Sequence, residues 1–347
     1  MDYFNRIMDT VSNWMPFRMP ETGVTLLGRH FSHEEEDEFV DGFRSMVAFT
    51  YRRDFEPLED QFSAGVRTSF FRSGTNLRSD AGWGCAIRAA QMLLAECLVS
   101  RLHGNFRTKT PLDADTMGVI SKFYDHPSAP LSIHQFVAAG QTMFDKKIAQ
   151  WYGPTSAARV FAKLMTNSQS KVYDVGCLAF DDGVIITSEV KAKLATSPGG
   201  VIIQLSKKLG MDHINLDRYK DPLLRLFSLQ YFRGLASGES TTAAYYFPAA
   251  SDEHLFYLDP HVAVHPALIN GAQGVTQESI LKIPWSRLNP SMTLGFFIKS
   301  ENEFESLMLA LTGTDSELFE FAEVRPEAGV MGEVLDSEDE DAVVIDP

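Results

Sequence analysis

The stretch Ser79–Glu96, SDAGWGCAIRAAQMLLAE, places a glycine-bracketed cysteine directly before a run of strong helix formers. From Ala86 to Val99 the sequence is apolar almost all round, which predicts a buried helix. Ser79 and Asp80, just upstream, are suitable capping residues. A helix N-terminus presents unpaired N–H groups and the positive end of its dipole, and both would stabilise a thiolate at Cys85.

Two interpretations of Cys85 stay open on these residues alone. Most free cysteines are small apolar core residues, and Cys85 could be one of them. The alternative is a nucleophilic thiol, which needs a histidine base and a group that orients that histidine.

Of nine histidines, His261 has the surroundings that best fit a base, at the end of LFYLDPH (Leu255–His261). The apolar run predicts a strand, and side chains two residues apart point to one face of an extended backbone. Pro260 disfavours a helical Asp259, so we expect Asp259 and His261 to be held extended. That geometry allows Asp259 to accept a hydrogen bond from one imidazole nitrogen while the other nitrogen faces Cys85.

Two other interpretations of this segment remain. Asp-Pro is a common turn starter, and His261 could be an ordinary surface residue after a strand. Alternatively, Asp259, His261 and His265 could be metal ligands. The metal interpretation is the weaker, because His-x-x-x-His aligns both rings only on a helix and prolines bracket the segment. We therefore expect no metal and no cofactor.

The remaining pattern predicts helices first and strands later, which is typical of an α+β fold rather than of alternating βαβ units. Helical patterns cover residues 115–124, 132–150 and 154–166. Strand candidates lie at 171–180, 183–187, 200–205, 243–247, 254–258 and 293–299.

Charge is distributed unevenly along the 347 residues, which carry a net charge of −15. Residues 301–347 contain 15 acidic side chains and one basic one, Arg325, whereas the first 300 residues hold 31 acids and 30 bases. A near-neutral body argues against nucleic acid as a partner, because phosphate binding needs a basic face. The last stretch, EVLDSEDEDAVVIDP, is too charged to fold alone, so we expect a disordered tail.

Cysteine usage and the absence of targeting signals predict a cytoplasmic protein. The three cysteines, Cys85, Cys97 and Cys177, have no disulfide framework and form no Cys-x-x-Cys pair. No apolar run approaches the ~18 residues of a membrane helix. At the N-terminus, Asp2 and Asp9 stand where a signal peptide would carry positive charge.

Four segments, in order along the chain, resemble motifs of one family. SDAGWGCAIRAAQMLLAE is similar to the nucleophile segment of the autophagins, the cysteine peptidases of the autophagy-related protein 4 family. FTYRRDF (Phe49–Phe55), QWYGP (Gln150–Pro154) and YLDPH (Tyr257–His261) also resemble family motifs. The resemblance implies an α+β, papain-like cysteine peptidase fold with family-specific insertions. We expect an N-terminal arm (1–19), a peptidase domain with a small inserted subdomain (20–325) and an acidic disordered tail (326–347).

Carried over to this chain, the resemblance implies a role for each of five residues. Cys85 would be the nucleophile, His261 the general base and Asp259 its orienting partner. Tyr51 would join the Cys85 backbone N–H in stabilising the oxyanion, although it could be only a buried aromatic residue in a strand. Trp151 would cover the cleft and clamp a narrow Phe-Gly segment of substrate, although the residues alone favour a core tryptophan.

The family's substrates are ubiquitin-like autophagy modifiers, which are cut after a C-terminal glycine. The resemblance therefore implies an enzyme that processes modifier precursors and hydrolyses the amide between that glycine and phosphatidylethanolamine. Its partners would be free and lipid-conjugated modifiers, with transient membrane contact through the lipidated substrate, and we expect a monomer. The alternatives are a catalytically weak or inactive modifier-binding protein of the same fold, and a papain-like hydrolase of small amides.

Two segments depart from the family pattern. Gly234–Thr242 lies where the family has a gating loop, and its composition predicts mobility, but it lacks a proline found in relatives. After DSEDED, relatives carry an aromatic-x-x-aliphatic docking motif, whereas this chain continues Ala342-Val-Val-Ile345. Phe304–Leu307 and Phe321–Val324 also fit that bare motif, yet both are more typical of core or helix positions.

Overall fold

A computed structural model describes residues 17–58, 77–104, 112–166, 172–181, 183–240, 243–312 and 318–325. Most of the predicted N-terminal arm and the whole predicted tail, 326–347, lie outside these ranges, as do residues 241–242 of the predicted gating loop.

The α-helices of the described residues are α1 (Glu36–Arg44), α2 (Cys85–His103), α3 (Ala114–Ile120), α4 (Ile133–Phe144), α5 (Pro154–Thr166), α6 (Thr187–Thr196), α7 (Leu216–Phe227) and α8 (Glu301–Leu311). The strands are β1 (Val24–Leu26), β2 (Arg29–Phe31), β3 (Tyr51–Arg53), β4 (Gly176–Phe180), β5 (Val184–Ile186), β6 (Val201–Lys208), β7 (Phe232–Ser240), β8 (Ala243–Ala250), β9 (His254–Leu258), β10 (Val264–Pro266), β11 (Leu281–Pro284), β12 (Ser291–Ile298) and β13 (Glu320–Ala322).

A nine-stranded sheet forms the centre of the molecule, in the order β11-β9-β8-β7-β12-β6-β4, with β1 joined to β8 and β2 to β1. Neighbouring strands are antiparallel except β4 and β6, which are parallel. The elements and their order confirm the α+β class. The resemblance's papain-like fold is consistent with a nucleophile helix, α2, packed against such a sheet.

Both faces of the sheet are covered, so its strands are apolar on both sides. Along β8, Tyr246 packs into one core and Phe247 into the other. Ile202 and Ile203 divide in the same way along β6. The first core contains α2, α4 and α5, and the second contains apolar residues of α6, α7 and α8.

Helix α2 confirms the prediction of a buried helix after the glycine-bracketed cysteine. It begins at Cys85, one residue before the predicted Ala86, and continues to His103. All residues from Cys85 to Ser100 are buried, including four polar ones, Arg88, Gln91, Glu96 and Ser100. The helix therefore lies inside the fold, against β7 and β8, with Cys85 at its N-terminal end and Cys97 in its interior.

The prediction of a mobile loop at Gly234–Thr242 is wrong for the residues described. Residues 232–240 form β7, between β8 and β12 near the middle of the sheet. Gly234, Ala236, Ser237 and Gly238, small residues that indicated a loop, are buried there, and Gly234 has a positive φ of 89° with the Phe247 carbonyl against its Cα. Glycine is needed at that position because an added Cβ would meet this oxygen.

The chain's last described strand, β13, pairs in parallel with β5. Arg325 closes this end of the fold by donating hydrogen bonds of 2.6 and 3.2 Å to the Glu189 carboxylate. Phe304 and Leu307 are buried on α8, which confirms them as core positions of a helix. Within the described ranges, no helix is both long and apolar enough to cross a membrane.

Candidate active site

A tight turn before α2 presents Cys85 at the first position of the helix. Gly82 has a φ of 88°, which an L-residue rarely adopts, so glycine permits the turn. The Asp80 carbonyl accepts hydrogen bonds from the backbone N–H groups of Trp83 (3.2 Å) and Gly84 (2.9 Å). The Cys85 side chain is buried, so the sulfur is surrounded by protein groups rather than by water.

His261 and Asp259 meet as the sequence predicts, but through a different backbone geometry. Nδ1 of His261 lies 2.6 Å from Asp259 Oδ1, which also accepts the His261 backbone N–H at 2.8 Å. Asp259 is extended, yet Pro260–Val262 form a 3₁₀ turn that Asp259 caps. The expectation of an extended pair is therefore wrong at His261. Pro260 is favourable at the first position of a helical turn, and a capping aspartate brings its own carboxylate to the residue two further on.

Asp259 is itself held by Gln277, a residue that no motif in the sequence marks. The Asp259 backbone N–H donates to Gln277 Oε1 at 2.8 Å. The Gln277 amide N–H₂ donates in turn to the carbonyls of Tyr257 (3.0 Å) and Ser279 (2.8 Å). Gln277 fixes the peptide from which the carboxylate projects. The separation of the two residues along the chain does not predict this hydrogen bond, because the contact depends on how the loop before β11 folds back.

The remaining ring nitrogen of His261, Nε2, is available to Cys85, and the two side chains are hydrogen-bonded. Tyr51 lies beside them on β3, which pairs in parallel with β10 just after His261. The Tyr51 hydroxyl is hydrogen-bonded to Cys85 and accepts the backbone N–H of Gly82. The structure thus brings together Cys85, His261, Asp259 and Tyr51.

Two tyrosine rings flank the imidazole. The Tyr51 ring lies 5.0 Å from that of His261 at 85°, and the Tyr245 ring lies 5.6 Å away at 77°. Both are edge-to-face contacts, which fix the orientation of the ring. Tyr245 is a site residue that the sequence analysis misses, since alternation along β8 predicts burial but not a neighbour.

The electrostatics of the site favour a thiolate and an imidazolium. Burial alone would raise the pKa of Cys85, but His261, the Tyr51 hydroxyl and the Ala244 backbone N–H lower it below the ordinary value. Burial alone would lower the pKa of His261, but its hydrogen bonds to Asp259 and Cys85 raise it to about 9. Each charge stabilises the other, so the site favours the form in which the proton resides on His261.

Trp151 lies just before α5, half-buried, with its side chain packed against the first core. Its carbonyl accepts a hydrogen bond from Lys146 Nζ at 3.1 Å. Its indole N–H is buried and finds no acceptor among the described residues. These contacts are those of a tryptophan that borders the core, and its role as a cover over the cleft stays a prediction.

The alternative of a metal site at Asp259, His261 and His265 is not supported by this arrangement. Both nitrogens of His261 are engaged, by Asp259 and Cys85. His265 packs its ring against Gly274 instead. Within the described parts of the chain, no three His, Cys, Asp or Glu side chains form a group that could hold a metal ion.

Fold and site together define a cysteine peptidase. Residues 36–310 match the family described as the peptidase C54 catalytic domain, and the chain belongs to this family. Among similar proteins is "Cysteine protease 1" of Neurospora crassa, 34% identical over 77% of this chain. "Probable cysteine protease atg4" of Schizosaccharomyces pombe is 30% identical over 88%, and "Cysteine protease ATG4" of Saccharomyces cerevisiae is 28% identical over 82%.

These relatives confirm the resemblance to the autophagy-related protein 4 family. The aligned region spans 88% of the S. pombe protein, 61% of the S. cerevisiae protein and 56% of the N. crassa protein. The chain therefore spans little more than half the length of some relatives that it matches.

Proposed function

We propose that this protein is a cytoplasmic cysteine peptidase of autophagy that acts on ubiquitin-like modifiers. It cleaves modifier precursors after a C-terminal glycine and hydrolyses the amide between that glycine and phosphatidylethanolamine. The observation that carries the proposal is the hydrogen-bonded chain from Cys85 through His261 to Asp259, at the N-terminus of a buried helix.

The first half of the proposed reaction is acylation. The Cys85 thiolate attacks the carbonyl carbon of the substrate's glycine, and the carbonyl oxygen becomes an oxyanion. The Cys85 backbone N–H and the Tyr51 hydroxyl donate hydrogen bonds to this oxygen. The Tyr51 hydroxyl is free to do so because Sγ, its partner in the resting site, loses its negative charge as the carbon–sulfur bond forms. His261 then protonates the leaving nitrogen, the amide C–N bond breaks, and a thioester remains on Cys85.

The second half is hydrolysis of the thioester. The neutral His261 takes a proton from a water molecule, and the hydroxide attacks the thioester carbonyl. The carbon–sulfur bond breaks, which returns the thiolate and releases the modifier with a free glycine carboxylic acid. This acid loses its proton to the solvent, and His261 keeps the proton taken from water, which restores the resting ion pair. Asp259 stays ionised throughout and holds the Nδ1–H tautomer, so that Nε2 faces the reaction.

One mechanism serves both substrates, because each reaction breaks an amide on the same glycine. The leaving group is a peptide α-amine in the precursor and the ethanolamine amine in the lipidated form. Glycine suits a narrow cleft because it has no side chain to clash with a covering indole, which is the role proposed for Trp151. Membrane contact in this proposal is transient and comes from the lipid of the substrate.

The hairpin of β7 and β8 adjoins the nucleophile. The Ala244 backbone N–H donates to Cys85, so the start of β8 touches the resting thiol. The resemblance places a gating loop at Gly234–Thr242, just before Ala244, and we infer that a substrate glycine must displace the Ala244 N–H to reach Sγ. We also propose that the site belongs to a peptidase domain at 20–325, which follows an N-terminal arm and precedes an acidic tail. The protein acts as a monomer in this proposal.

A gel-shift assay of two substrates tests the proposal. The protein is incubated with a purified modifier precursor and, separately, with the modifier conjugated to phosphatidylethanolamine in vesicles. We expect both substrates to be converted to the same glycine-ended product. Binding without conversion would instead identify a modifier-binding protein without activity. Turnover of a small amide substrate with neither modifier form cleaved would identify a small-amide hydrolase.

A further inference from the structure

Four charged side chains form a completely buried cluster beneath the candidate active site: Arg52, Asp80, Arg88 and Asp125. Two are positive and two are negative, so the cluster is neutral as a whole. Burying a charge costs free energy unless the charge is paired and hydrogen-bonded. Removing one member of a buried pair leaves its partner charged and unpaired, which is strongly destabilising. None of the four takes part in the bond-making steps described above.

Asp80 holds the strand that carries Tyr51. Its Oδ1 accepts the backbone N–H of Arg52, the residue after Tyr51, at 2.5 Å. Its own backbone N–H donates to the Arg52 carbonyl at 3.2 Å. Because both polar groups of the Arg52 backbone are engaged by Asp80, the peptide next to Tyr51 cannot move without breaking them.

Asp80 also holds the turn that carries Cys85. In addition to accepting the N–H of Gly84, it packs directly on that residue, which precedes Cys85. A Cβ at Gly84 would lie 2.6 Å from Asp80 Cβ, so only glycine allows this approach. Asp80 therefore contacts the residue before the thiol and the residue after the tyrosine.

Arg88 prevents the Asp80 carboxylate from rotating. Nε of Arg88, one turn into α2, donates to Asp80 Oδ2 at 2.6 Å, and Nη2 donates to Asp125 Oδ1 at 2.8 Å. Asp125 Oδ2 in turn accepts the Leu268 backbone N–H at 2.8 Å. Burial alone would lower the pKa of Arg88, but Asp125 and Asp80 raise it, so the arginine keeps its charge.

We propose that Asp80 is a positioning residue that sets the distance between the Tyr51 hydroxyl and Cys85 Sγ. This inference rests on the proposed function only for the role of Tyr51 at the oxyanion. Asp80→Asn tests it with almost no change of shape. An amide has one acceptor oxygen, so its N–H₂ must face either the Arg52 N–H or the Arg88 Nε–H, and that contact is lost.

The measurement is the pH dependence of Cys85 alkylation by iodoacetamide, without substrate, in four proteins: wild type, Tyr51→Phe, Asp80→Asn and the double variant. Loss of the Tyr51 hydroxyl should raise the midpoint by about 0.5–1 pH unit, because a donor to the thiolate is gone. Asp80→Asn should raise it similarly. In the Asp80→Asn background, Tyr51→Phe should add little, because the hydroxyl is already displaced.

Charge and geometry predict opposite signs here. Removing a nearby negative charge would by itself stabilise the Cys85 thiolate and lower the midpoint, so a rise on Asp80→Asn reports lost geometry. Asp125→Asn is the matched control. It also takes a carboxylate from Arg88 but leaves the contacts of Asp80 with Arg52 and Gly84 intact. In that background Tyr51→Phe should keep its full effect.

Three results would overturn the proposal. The first is additive effects of Tyr51→Phe and Asp80→Asn, and the second is a lower midpoint on Asp80→Asn. The third is an effect of Tyr51→Phe that is reduced as much in the Asp125→Asn background as in the Asp80→Asn background. If thermal denaturation shows that Asp80→Asn does not fold, Arg88→Lys replaces it, since lysine keeps the charge but not the Nε contact. Arg88→Lys should then reduce the effect of Tyr51→Phe by at least half, and an undiminished effect would overturn the proposal. Cleavage of a modifier precursor is measured in parallel. Failure of wild type to cleave it would count against the proposed function and leave the alkylation result standing.

Discussion

Cys85 differs from the other two cysteines in the groups around its sulfur rather than in exposure. All three thiols are free and buried. Burial raises the pKa of Cys97 and raises that of Cys177 to about 12. At Cys85 the same effect is outweighed by the hydrogen bonds and charge of His261 and by the Tyr51 hydroxyl. Reagents that need a thiolate should therefore react at Cys85 first.

The raised pKa of His261 predicts the alkaline limit of activity. Its value of about 9 in the fold exceeds the unfolded value of about 6.5. The protonated imidazole therefore contributes stability that is full below pH 6.5 and is lost as the pH rises through about 9. In the proposed mechanism this imidazolium protonates the leaving amine, and it is lost over the same pH range. A profile of kcat/KM against pH should fall near pH 9, and a fall near pH 6.5 would contradict the ion pair.

Asp259→Asn should keep the fold and lower kcat by on the order of 10²–10⁴, because an amide favours the wrong imidazole tautomer. It should also move the alkaline limb of the profile to lower pH, since the Asp259 hydrogen bond is the first contribution that raises the pKa of His261. Steady-state kinetics of precursor cleavage give both quantities.

Asp252→Asn is the matched control, because Asp252 is an exposed partner of Lys220 at 2.9 Å. Surface ion pairs of this kind contribute little to stability, so its activity should equal that of wild type. Equal activity of the Asp259→Asn variant would remove Asp259 from the mechanism.

For individual residues, the sequence predicts which side chains interact better than it predicts the backbone geometry through which they meet. Spacing alone relates Asp259 to His261, and the two do form a hydrogen bond. The extended backbone inferred from Pro260 is wrong, because a proline that disfavours a long helix still permits one 3₁₀ turn. Gln277 and Tyr245 stay hidden in the sequence, since each reaches the site through strand pairing and loop folding.

Helix α2 is placed by a close approach to the sheet. Leu93 is completely buried, and its methyl groups lie over Gly295 of β12. A Cβ at Gly295 would lie 2.6 Å from Leu93 Cδ1. The helix can pack this near the strand only because residue 295 has no side chain. Cys85 begins the same helix, so this packing helps to fix its position relative to the sheet.

Gly295→Ala should therefore lower the free energy of unfolding by about 1–3 kcal/mol, the usual cost of forcing a methyl group into a packed core. Leu93→Ala should cost about 2–5 kcal/mol through the cavity it leaves. Combined, the two should cost less than their sum, because the added methyl occupies space that the leucine vacates. Urea denaturation of the four proteins measures this, and strict additivity would show that Leu93 and Gly295 do not meet.

Among the helices and strands, segments with strong apolar periodicity are predicted accurately, whereas a strand rich in small residues is not. The predicted helix 154–166 has the bounds of α5, and the predicted strand 254–258 has those of β9. Strand β7 is missed because its Gly, Ala and Ser residues resemble a loop, although small residues also suit a strand crowded between neighbours. Helices α6 and α7 are missed as well, and both lie between strands that carry the clearer apolar signal.

At the scale of the whole molecule, the acidic charge is concentrated near the C-terminal end. Deleting residues 333–347 removes seven acids and no base. This segment lies beyond the described residues, and the candidate catalytic residues all lie before residue 262. The deletion should therefore leave the thermal unfolding midpoint and precursor cleavage nearly unchanged. A large loss of cleavage would show that the segment contributes to the activity.

The substitution Ala342→Phe tests whether the same segment contributes to binding of the modifier. If the alanine leaves a docking motif without its aromatic anchor, restoring the ring should tighten modifier binding by on the order of 1–2 kcal/mol. A titration compares wild type, the deletion of 333–347 and Ala342→Phe against one modifier. A large loss of affinity on deletion would mean that Val343–Ile345 and the acidic run already dock.

The proposed mechanism depends on the Cys85 thiolate as its nucleophile, and Cys85→Ser removes that thiolate. Precursor cleavage is measured at saturating modifier, and modifier binding is titrated separately. Cys97→Ala and Cys177→Ala serve as controls, because both thiols are buried and held protonated by raised pKa values. We predict that Cys85→Ser lowers kcat by at least ~10³ with binding retained, while both controls keep full activity. Cleavage by Cys85→Ser at a rate near that of wild type would show that the Cys85 thiolate is not the nucleophile.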